Sequence, residues 1–183
     1  MDEVLVIGGS GFVGSHTADA LSEKGHIVTI FDKKESPWIK ENQKFFQGDM
    51  MNQDDLNKAM ENKKYVFHFG GIADIDEADE RPFDTVEFNV IGTMKILLAA
   101  RKSKISRFFY GSTVYVFSPY GSMYRASKQA SETIIETYSQ QYGLDYTFLR
   151  YGSLYGPRAQ KWNGLRNRVE EIIRTKKLTY NGT

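Results

Sequence analysis

Short apolar runs alternate along the chain with longer segments that are apolar on one side only. The runs are rich in β-branched and aromatic residues, which favour strands, and they occur near residues 3–8, 26–32, 44–47, 65–70, 106–112 and 145–150. Between them, apolar residues recur every three or four positions, which predicts helices at about 12–24, 53–62, 83–102 and 124–142. This alternation predicts the α/β class, with a doubly wound parallel sheet and helices on both faces.

A glycine-rich turn follows the first predicted strand. Gly9, Gly11 and Gly14 fit the pattern G-x-G-x-x-G, while Gly8, Gly11 and Gly14 fit G-x-x-G-x-x-G. Glycine lets the backbone turn sharply and approach a pyrophosphate, whose charge then lies at the N-terminus of the next helix. Because this turn stands between a strand and a helix, it predicts a dinucleotide site.

Asp32 ends the second predicted strand, at about the 20-residue spacing from the glycines that dinucleotide-binding folds use. A carboxylate there accepts hydrogen bonds from the adenosine ribose of NAD and repels the additional phosphate of NADP. Lys33 and Lys34 follow directly and would partly offset that repulsion. An ordinary turn residue is the alternative interpretation of Asp32. The sequence favours NAD.

Tyr124 and Lys128 stand four residues apart in the last predicted helix and therefore share one face of it. An ammonium group close to a phenol favours the ionised phenol, which can then accept a proton. The pair is a candidate for proton transfer. The spacing by itself is common, and a solvated helix face is the alternative interpretation.

Composition limits the classes of function. The 183 residues, 40% of them hydrophobic, suffice for one substantial core. A net charge of +1 gives no electrostatic reason to expect nucleic acid or a membrane surface as a partner. The sequence has no cysteine and no apolar run of membrane-spanning length, and its first predicted strand leaves no room for a signal peptide after Met1. We therefore expect a cytoplasmic protein.

One segment is strongly acidic and contains Asp74, Asp76, Glu77, Asp79 and Glu80. Such a run is more often a solvated loop than a cation site. The three histidines of the chain have no spacing typical of metal ligands. We therefore predict a loop and assign no metal.

Six segments resemble, in order and over nearly the whole chain, the motifs of one family. They are residues 4–16, 48–49, 68–71, 89–93, 110–117 and 149–158. The family is the extended short-chain dehydrogenase/reductase family, the NAD-dependent nucleotide-sugar epimerases and dehydratases. The resemblance implies a Rossmann-like NAD-binding domain at 1–152 and a stub of the substrate-binding region at 153–183, with a nucleotide sugar as substrate.

The resemblance also implies which residues bind NAD. The pair Gly48 and Asp49 is similar to the family's adenine-contacting Gly-Asp, and residues 68–71 are similar to its His-Leu-Ala-Ala. The residues implied to contact NAD are Gly8, Gly11, Phe12, Val13, Gly14, Asp32, Lys33, Gly48, Asp49, Met50, Phe69, Gly70, Gly71, Asn89, Gly111, Tyr124, Lys128 and Tyr151.

Three residues take the catalytic roles that the resemblance implies. Tyr124 exchanges a proton with a sugar hydroxyl, Lys128 favours the Tyr124 phenolate and holds the nicotinamide ribose, and Thr113 hydrogen-bonds the reacting oxygen. Tyr120 competes for the tyrosine role because residues 119–121 also resemble a family motif, but only Tyr124 has a lysine four residues further on.

The chain departs from the family's pattern near these residues. Thr113 and Tyr124 are joined by a connection much shorter than is usual, which implies an open site. Val114 and Tyr115 replace the Asp-Glu pair of the 4,6-dehydratases, which disfavours dehydration, and Ser153 replaces an asparagine near the sugar diphosphate. Two interpretations remain: a nucleotide-sugar epimerase or related oxidoreductase, and a noncatalytic NAD-binding module.

The resemblance implies a homodimer that pairs through the predicted helices at 83–102 and 124–142. The first helix carries an apolar stripe of Phe83, Val86, Val90, Met94, Leu97 and Leu98, and the second contributes Ile134, Ile135 and Tyr138. A stripe that packs only on its own sheet is the alternative.

Overall fold

The computed structural model describes residues 1–177 of the 183-residue chain. Within this part, six strands form: β1 (Glu3–Ile7), β2 (Ile27–Asp32), β3 (Gln43–Gln47), β4 (Tyr65–His68), β5 (Arg107–Thr113) and β6 (Tyr146–Tyr151). The α-helices of the same part are α1 (Phe12–Glu23), α2 (Gln53–Ala59), α3 (Ile75–Glu80), α4 (Pro82–Val86), α5 (Gly92–Lys102), α6 (Ser122–Tyr142) and α7 (Gly164–Thr175).

The six strands form one parallel sheet in the order β3-β2-β1-β4-β5-β6. The strand order reverses at β1, whose Ile7 pairs with Phe31 of β2 and with His68 of β4. In open sheets of this kind, ligands bind outside the carboxyl ends of the strands at the reversal point. The predicted fold class is confirmed, and the topology directs attention to the ends of β1, β4 and β5.

Alternate residues of the strands bury opposite faces of the sheet. Leu5 and Ile7 belong to a large core that also contains residues of α2, α5 and α6. Val4 and Val6 belong to a smaller core on the other side, where Ala18 of α1 packs. A central strand that is apolar on both faces is typical of a sheet covered by helices on both sides.

The predicted helix at 83–102 is continuous, but it contains one wider turn. Residues 87–91 adopt π-helical geometry between α4 and α5, which inserts an extra residue into the turn. The predicted apolar stripe is not buried along its whole length. Leu97 is fully buried in the large core, whereas Phe83 and Leu98 are 89% and 48% exposed.

Two helices were not expected. The acidic segment is not a loop, as predicted, but forms α3, because the Asp74 carboxylate caps it by accepting from the backbone N–H groups of Asp76 and Glu77 at 2.8 and 3.1 Å. Helix α7 likewise begins at a capping residue, since the Asn163 side chain accepts from the Arg166 N–H at 3.0 Å. Both caps are local signals that the apolar periodicity of a sequence does not contain.

The contacts divide the chain into two compact units, Met1–Tyr151 and a second that begins at Gly152. The first unit contains the whole sheet, and the second, described to residue 177, contains α7. Assignment of the second unit to substrate binding stays a prediction. No helix in residues 1–177 combines the length and hydropathy needed to cross a bilayer. In the same residues no three or more acidic or histidine side chains gather as metal ligands.

Candidate active site

The glycine turn lies directly against the end of β4. Gly8 has a φ of +74°, which strains other residues, and its N–H donates to the Phe31 carbonyl at 2.9 Å. A Cβ atom at Gly8 would lie 2.6 Å from the backbone nitrogen of Gly70, and one at Gly14 would collide with the Gly8 carbonyl. The turn therefore requires glycine at both positions and brings β1, α1 and β4 together.

The N-terminus of α1 is open to an anion. Gly11 is the N-cap residue and makes no side-chain cap, and the first turn, which contains Phe12 and Val13, has no acidic residue. The first backbone N–H groups of a helix carry partial positive charge and attract phosphate. The close-packed glycine turn and this uncapped terminus fit the pyrophosphate of a dinucleotide.

Asp32 is held against the glycine turn by two backbone groups. Its Oδ2 accepts from the Ser10 N–H at 3.1 Å and its Oδ1 from the Lys33 N–H at 2.8 Å. These two contacts fix the carboxylate at the end of β2, beside the turn. A ribose next to a pyrophosphate bound at the turn would lie within its reach.

Lys33 and Asp49 form an ion pair near the same edge, with 3.0 Å between Nζ and Oδ2. The Asp49 Oδ1 also accepts from the Met51 N–H at 2.9 Å. Burial raises the pKa of Asp49, but the hydrogen bonds from Met51 and Lys33 outweigh it, so the pKa lies below its usual value. Lys33 is thus paired with the Asp49 carboxylate, close to the end of β2.

Residues 48–50 are placed beside the ends of β2 and β4. The Gly48 N–H donates to the Asp32 carbonyl at 3.0 Å. The Met50 side chain is buried, and its sulfur would lie 2.9 Å from a Cβ added at Gly70. The predicted adenine-contacting segment therefore borders the glycine turn.

Asn89 holds the segment after β4 in place. Its Oδ1 accepts from the Ile72 N–H at 2.8 Å, and its Nδ2 donates to the Ile72 carbonyl and the Ser127 hydroxyl, both at 2.9 Å. Gly71, with a φ of +130°, packs on this side chain so closely that a Cβ would clash with it. Asn89 thus joins the β4 loop to α6, and its predicted contact with NAD stays a prediction.

Lys128 is buried at the end of β5. Its Nζ donates to the Gly111 carbonyl at 2.9 Å and lies 4.7 Å from the centre of the Tyr110 ring and 5.9 Å from that of Tyr124. Gly111 in turn faces Phe69, whose ring would lie 2.7 Å from a Cβ there. Burial holds the pKa of Lys128 below its usual value, although the nearby Tyr124 and Glu132 oppose that shift.

The other two predicted catalytic residues lie on the two elements that Lys128 joins, β5 and α6. Thr113 ends β5, is buried, pairs with Tyr151 of β6, and accepts from the Tyr115 N–H at 3.2 Å. Tyr124 is half-buried one helical turn before Lys128, whereas its competitor Tyr120 is 75% exposed in the loop before α6. The structure places the predicted catalytic and cofactor residues of the first unit along one edge of the sheet, and their roles stay predictions.

Several polar residues of this region were missed. His68 lies beneath Lys128, and burial, with a smaller contribution from the Lys128 charge, lowers its pKa to about 3. Its Nε2 lies 3.1 Å from the Thr93 hydroxyl, whose proton goes to the Asn89 carbonyl at 2.6 Å, so Nε2 carries the proton. Ser112, Glu132 and Arg150 form a second network, for which the sequence offers no local signal because its members come from three elements.

The sequence matches the NAD dependent epimerase/dehydratase family over residues 4–179. It is 32% identical over 179 residues to the UDP-N-acetyl-alpha-D-glucosaminuronate decarboxylase of Bacillus cytotoxicus, covering 85% of this chain and 56% of that protein. It is 30% identical over 177 residues to a putative UDP-glucose 4-epimerase of Methanocaldococcus jannaschii, covering 85% and 57%. The chain thus spans little more than half the length of these relatives.

Solved structures agree with this match. The UDP-glucose 4-epimerase of Thermotoga maritima with UDP-glucose superposes with a TM-score of 0.87 at 26% identity, and that of Thermus thermophilus with NAD superposes with 0.85 at 27%. Each superposition covers 94% of this chain and 63% of the other. The chain therefore belongs to the NAD-dependent epimerase/dehydratase family, which confirms the family, the fold class and the cofactor predicted from its sequence.

Proposed function

We propose that this chain carries the cofactor domain and the catalytic residues of an NAD-dependent nucleotide-sugar epimerase or a related oxidoreductase. The observation that carries the proposal is the attachment of Lys128 to Gly111, which places the Tyr124 helix beside Thr113 and across from the glycine turn. Structural neighbours that contain UDP-glucose or NAD support the substrate class and the cofactor.

The first unit supplies the cofactor's contacts. The N-terminus of α1 binds the pyrophosphate, and Asp32 accepts hydrogen bonds from the adenosine ribose. Residues 48–50 border the adenine, and Lys128, which has ammonium protons beyond the one given to Gly111, donates to the nicotinamide ribose. NAD supplies the site with a hydride acceptor that can return the hydride.

The proton steps are carried out by Thr113 at the end of β5 and by Tyr124 and Lys128 of α6. Tyr124, as phenolate, would take the proton of the sugar hydroxyl as the carbon that carries it is oxidised to a ketone. Thr113 donates a hydrogen bond to the reacting oxygen, and the Lys128 ammonium stabilises the phenolate. Tyr124 would give the proton back when the ketone is reduced, and reduction on the opposite face would give the epimer.

Water elimination is not part of the proposal. That reaction needs an acid near the leaving hydroxyl, and the turn after Thr113 presents Val114 and Tyr115 instead. Epimerisation requires only the groups named above.

A screen of UDP- and dTDP-sugars with added NAD tests the proposal. We expect conversion of at least one sugar nucleotide to its epimer, detected by NMR, together with NAD carried through purification and detected by mass spectrometry. Binding of NAD without conversion of any sugar would contradict an enzymatic function for this chain.

That outcome would instead support the second candidate, a noncatalytic NAD-binding module. One observation favours it: only residues 114–123 connect Thr113 to Tyr124.

We also propose a homodimer formed through α4, α5 and α6. Leu97, Ile135 and Tyr138 belong to the core and are not available for it. Phe83 and Leu98 remain exposed, and with Val86 and Ile91, at 40% and 46% exposure, they give this surface an apolar character.

A further inference from the structure

A buried carboxylate connects α6, β5 and β6 next to the candidate catalytic residues. Glu132 of α6 is 7% exposed. Its Oε1 accepts from the Ser112 hydroxyl at 2.5 Å and from Arg150 Nε at 3.0 Å, and its Oε2 accepts from Arg150 Nη2 at 2.7 Å. This two-pronged geometry is the strongest form of an arginine–carboxylate pair. The hydrogen bond to Glu132 raises the pKa of Arg150.

The Glu132 network lies next to the hydrogen bond between Lys128 and Gly111, on both α6 and β5. Lys128 and Glu132 are one helical turn apart on the same face of α6. Lys128 binds the carbonyl of Gly111 and Glu132 binds the hydroxyl of Ser112, the next residue of β5. Thr113 follows directly. Two consecutive turns of α6 are therefore hydrogen-bonded to the two residues of β5 that precede Thr113.

The charges around Lys128 are few and come from four elements. On α6, Tyr124 precedes it by one turn and Glu132 follows it by one turn. The Tyr110 ring of β5 lies beneath its Nζ, and His68 of β4 is neutral at physiological pH because its pKa is about 3. Arg150 of β6 reaches the region only through Glu132.

Glu132 is therefore the one carboxylate among these groups. Burial disfavours the ammonium form of a lysine unless a negative charge lies close to it. The Arg150 guanidinium, which forms two hydrogen bonds with this carboxylate, balances its charge. Removing either member of the pair would leave the charge of the other uncompensated.

We propose that Glu132, oriented by Ser112 and Arg150, is a positioning residue that keeps the Lys128 ammonium charged and aligned beside Tyr124. The inference rests on the proposed function only in taking Lys128 as the partner of Tyr124. Its consequence is specific: replacing Glu132 and replacing Arg150 must move the protonation of Lys128 in opposite directions.

Titration of the protein labelled with ¹³C at the lysine side chains tests this by NMR, without substrate. The Lys128 signal is identified by its loss in Lys128→Met. In Glu132→Gln the unpaired Arg150 charge lowers the titration midpoint of Lys128, and in Arg150→Gln the unpaired Glu132 charge raises it. The double variant returns the midpoint towards that of the parent protein.

Glu136→Gln is the matched control, since it removes an exposed carboxylate one turn further along α6. We expect its effect on the Lys128 midpoint to be smaller than that of either single variant. Shifts of the same sign in Glu132→Gln and Arg150→Gln, or shifts no larger than in the control, would overturn the proposal.

The use of two single variants keeps the test valid if one of them does not fold. If Glu132→Gln does not fold, as circular dichroism would reveal, Arg150→Gln decides alone. Its side chain is 34% exposed, and the remaining carboxylate keeps the Ser112 hydrogen bond. A Lys128 midpoint that does not rise in this variant would then refute the role. Because the titration needs no sugar nucleotide, its failure is distinguishable from a lack of turnover in the parent protein.

Discussion

At the scale of single residues, the polar side chains of the candidate site are oriented before any ligand binds. The Asp32 carboxylate accepts from two backbone N–H groups, and the Lys128 ammonium donates to a strand carbonyl. Groups held in this way lose little entropy when they meet a ligand. Single substitutions should therefore change binding or proton transfer selectively.

Asp32→Ala should weaken NAD binding by roughly tenfold or more, because a hydrogen-bonded carboxylate contributes about 1.5–3 kcal/mol. NADP should lose less, or gain, since the repulsion of its additional phosphate is removed. The difference between the two affinities therefore narrows. Calorimetric titration with each cofactor measures this. Glu35→Ala, which removes an exposed charge three residues away, is the control. Equal affinities of the parent protein for both cofactors would contradict the role of Asp32.

Tyr124→Phe should reduce turnover by at least about 100-fold while NAD affinity changes little, because only the hydroxyl that transfers the proton is lost. Steady-state rates with the sugar nucleotide identified in the screen, together with NAD titration, measure both quantities. Tyr120→Phe, in which the altered ring is 75% exposed, should keep parental rates. The reverse result would move the tyrosine role to Tyr120.

At the scale of elements, the π-helical turn at 87–91 is where three elements are joined. The Asn89 side chain binds the Ile72 backbone after β4 and the Ser127 hydroxyl of α6. The Asn89 carbonyl accepts from the Thr93 hydroxyl at 2.6 Å and lies 2.9 Å from the Ser131 hydroxyl. Side-chain hydroxyls thus supply hydrogen bonds to the Asn89 carbonyl in this widened turn. Single π-helical turns of this kind often occur at functional sites.

Asn89→Ala should lower the free energy of unfolding by about 2–4 kcal/mol, because it leaves the Ile72 N–H and carbonyl buried without their partners. Urea denaturation followed by circular dichroism gives the value. Asn57→Ala, at a half-buried position of α2, should change stability by less than about 1 kcal/mol. Similar small losses in both variants would mean that water replaces the Asn89 contacts.

At the scale of the whole molecule, buried ionisable groups make stability depend on pH. His68 is fully buried, and its pKa falls from 6.5 to about 3 in the folded chain. Since the unfolded chain binds a proton at this residue below pH 6.5 and the folded chain does not, acid favours unfolding. The stabilisation is complete above pH 6.5 and is lost as the pH falls towards 3.

When the pH falls from 7 to 4.5, protonation of His68 in the unfolded chain should lower the unfolding free energy of the parent protein by about 2–3 kcal/mol. His68→Gln should lack that part of the pH dependence, whereas the exposed-site control His16→Gln should retain it. Urea titrations at several pH values compare the three proteins. Parallel pH profiles for the parent and His68→Gln would show that His68 is not the group responsible.

The proposed dimer is a second property of the whole molecule. An interface of standard size buries about 1,600 Å² and persists at micromolar concentration. Sedimentation equilibrium should give a dimer mass for the parent protein and a monomer mass for Leu98→Glu. Val114→Glu, at a position with a comparable exposure of 47%, should remain dimeric. A monomer mass for the parent protein with NAD present would exclude this pairing for the chain.

The amino-acid sequence alone determined those parts of the protein whose physical cause is local. A short apolar run can bury itself only as a strand or a short helix, and β-branched and aromatic content favours the strand. All six predicted strands therefore form within two residues of their expected bounds. The glycine turn at 8–14 was recognisable for the same reason, because a backbone with positive φ and no room for Cβ requires glycine.

The tertiary structure decided which side chains meet across the sheet. Leu97 and Leu98 are equally apolar in sequence, yet one is buried in the core and the other half exposed. Consecutive residues of a helix point about 100° apart, and the packing of α5 on the sheet decides which of the two faces the core. Ser112, Glu132 and Arg150 likewise meet only because β5, β6 and α6 pack together. A buried charge is tolerable only with its partners in place, so its site depends on the assembled fold and not on any local pattern.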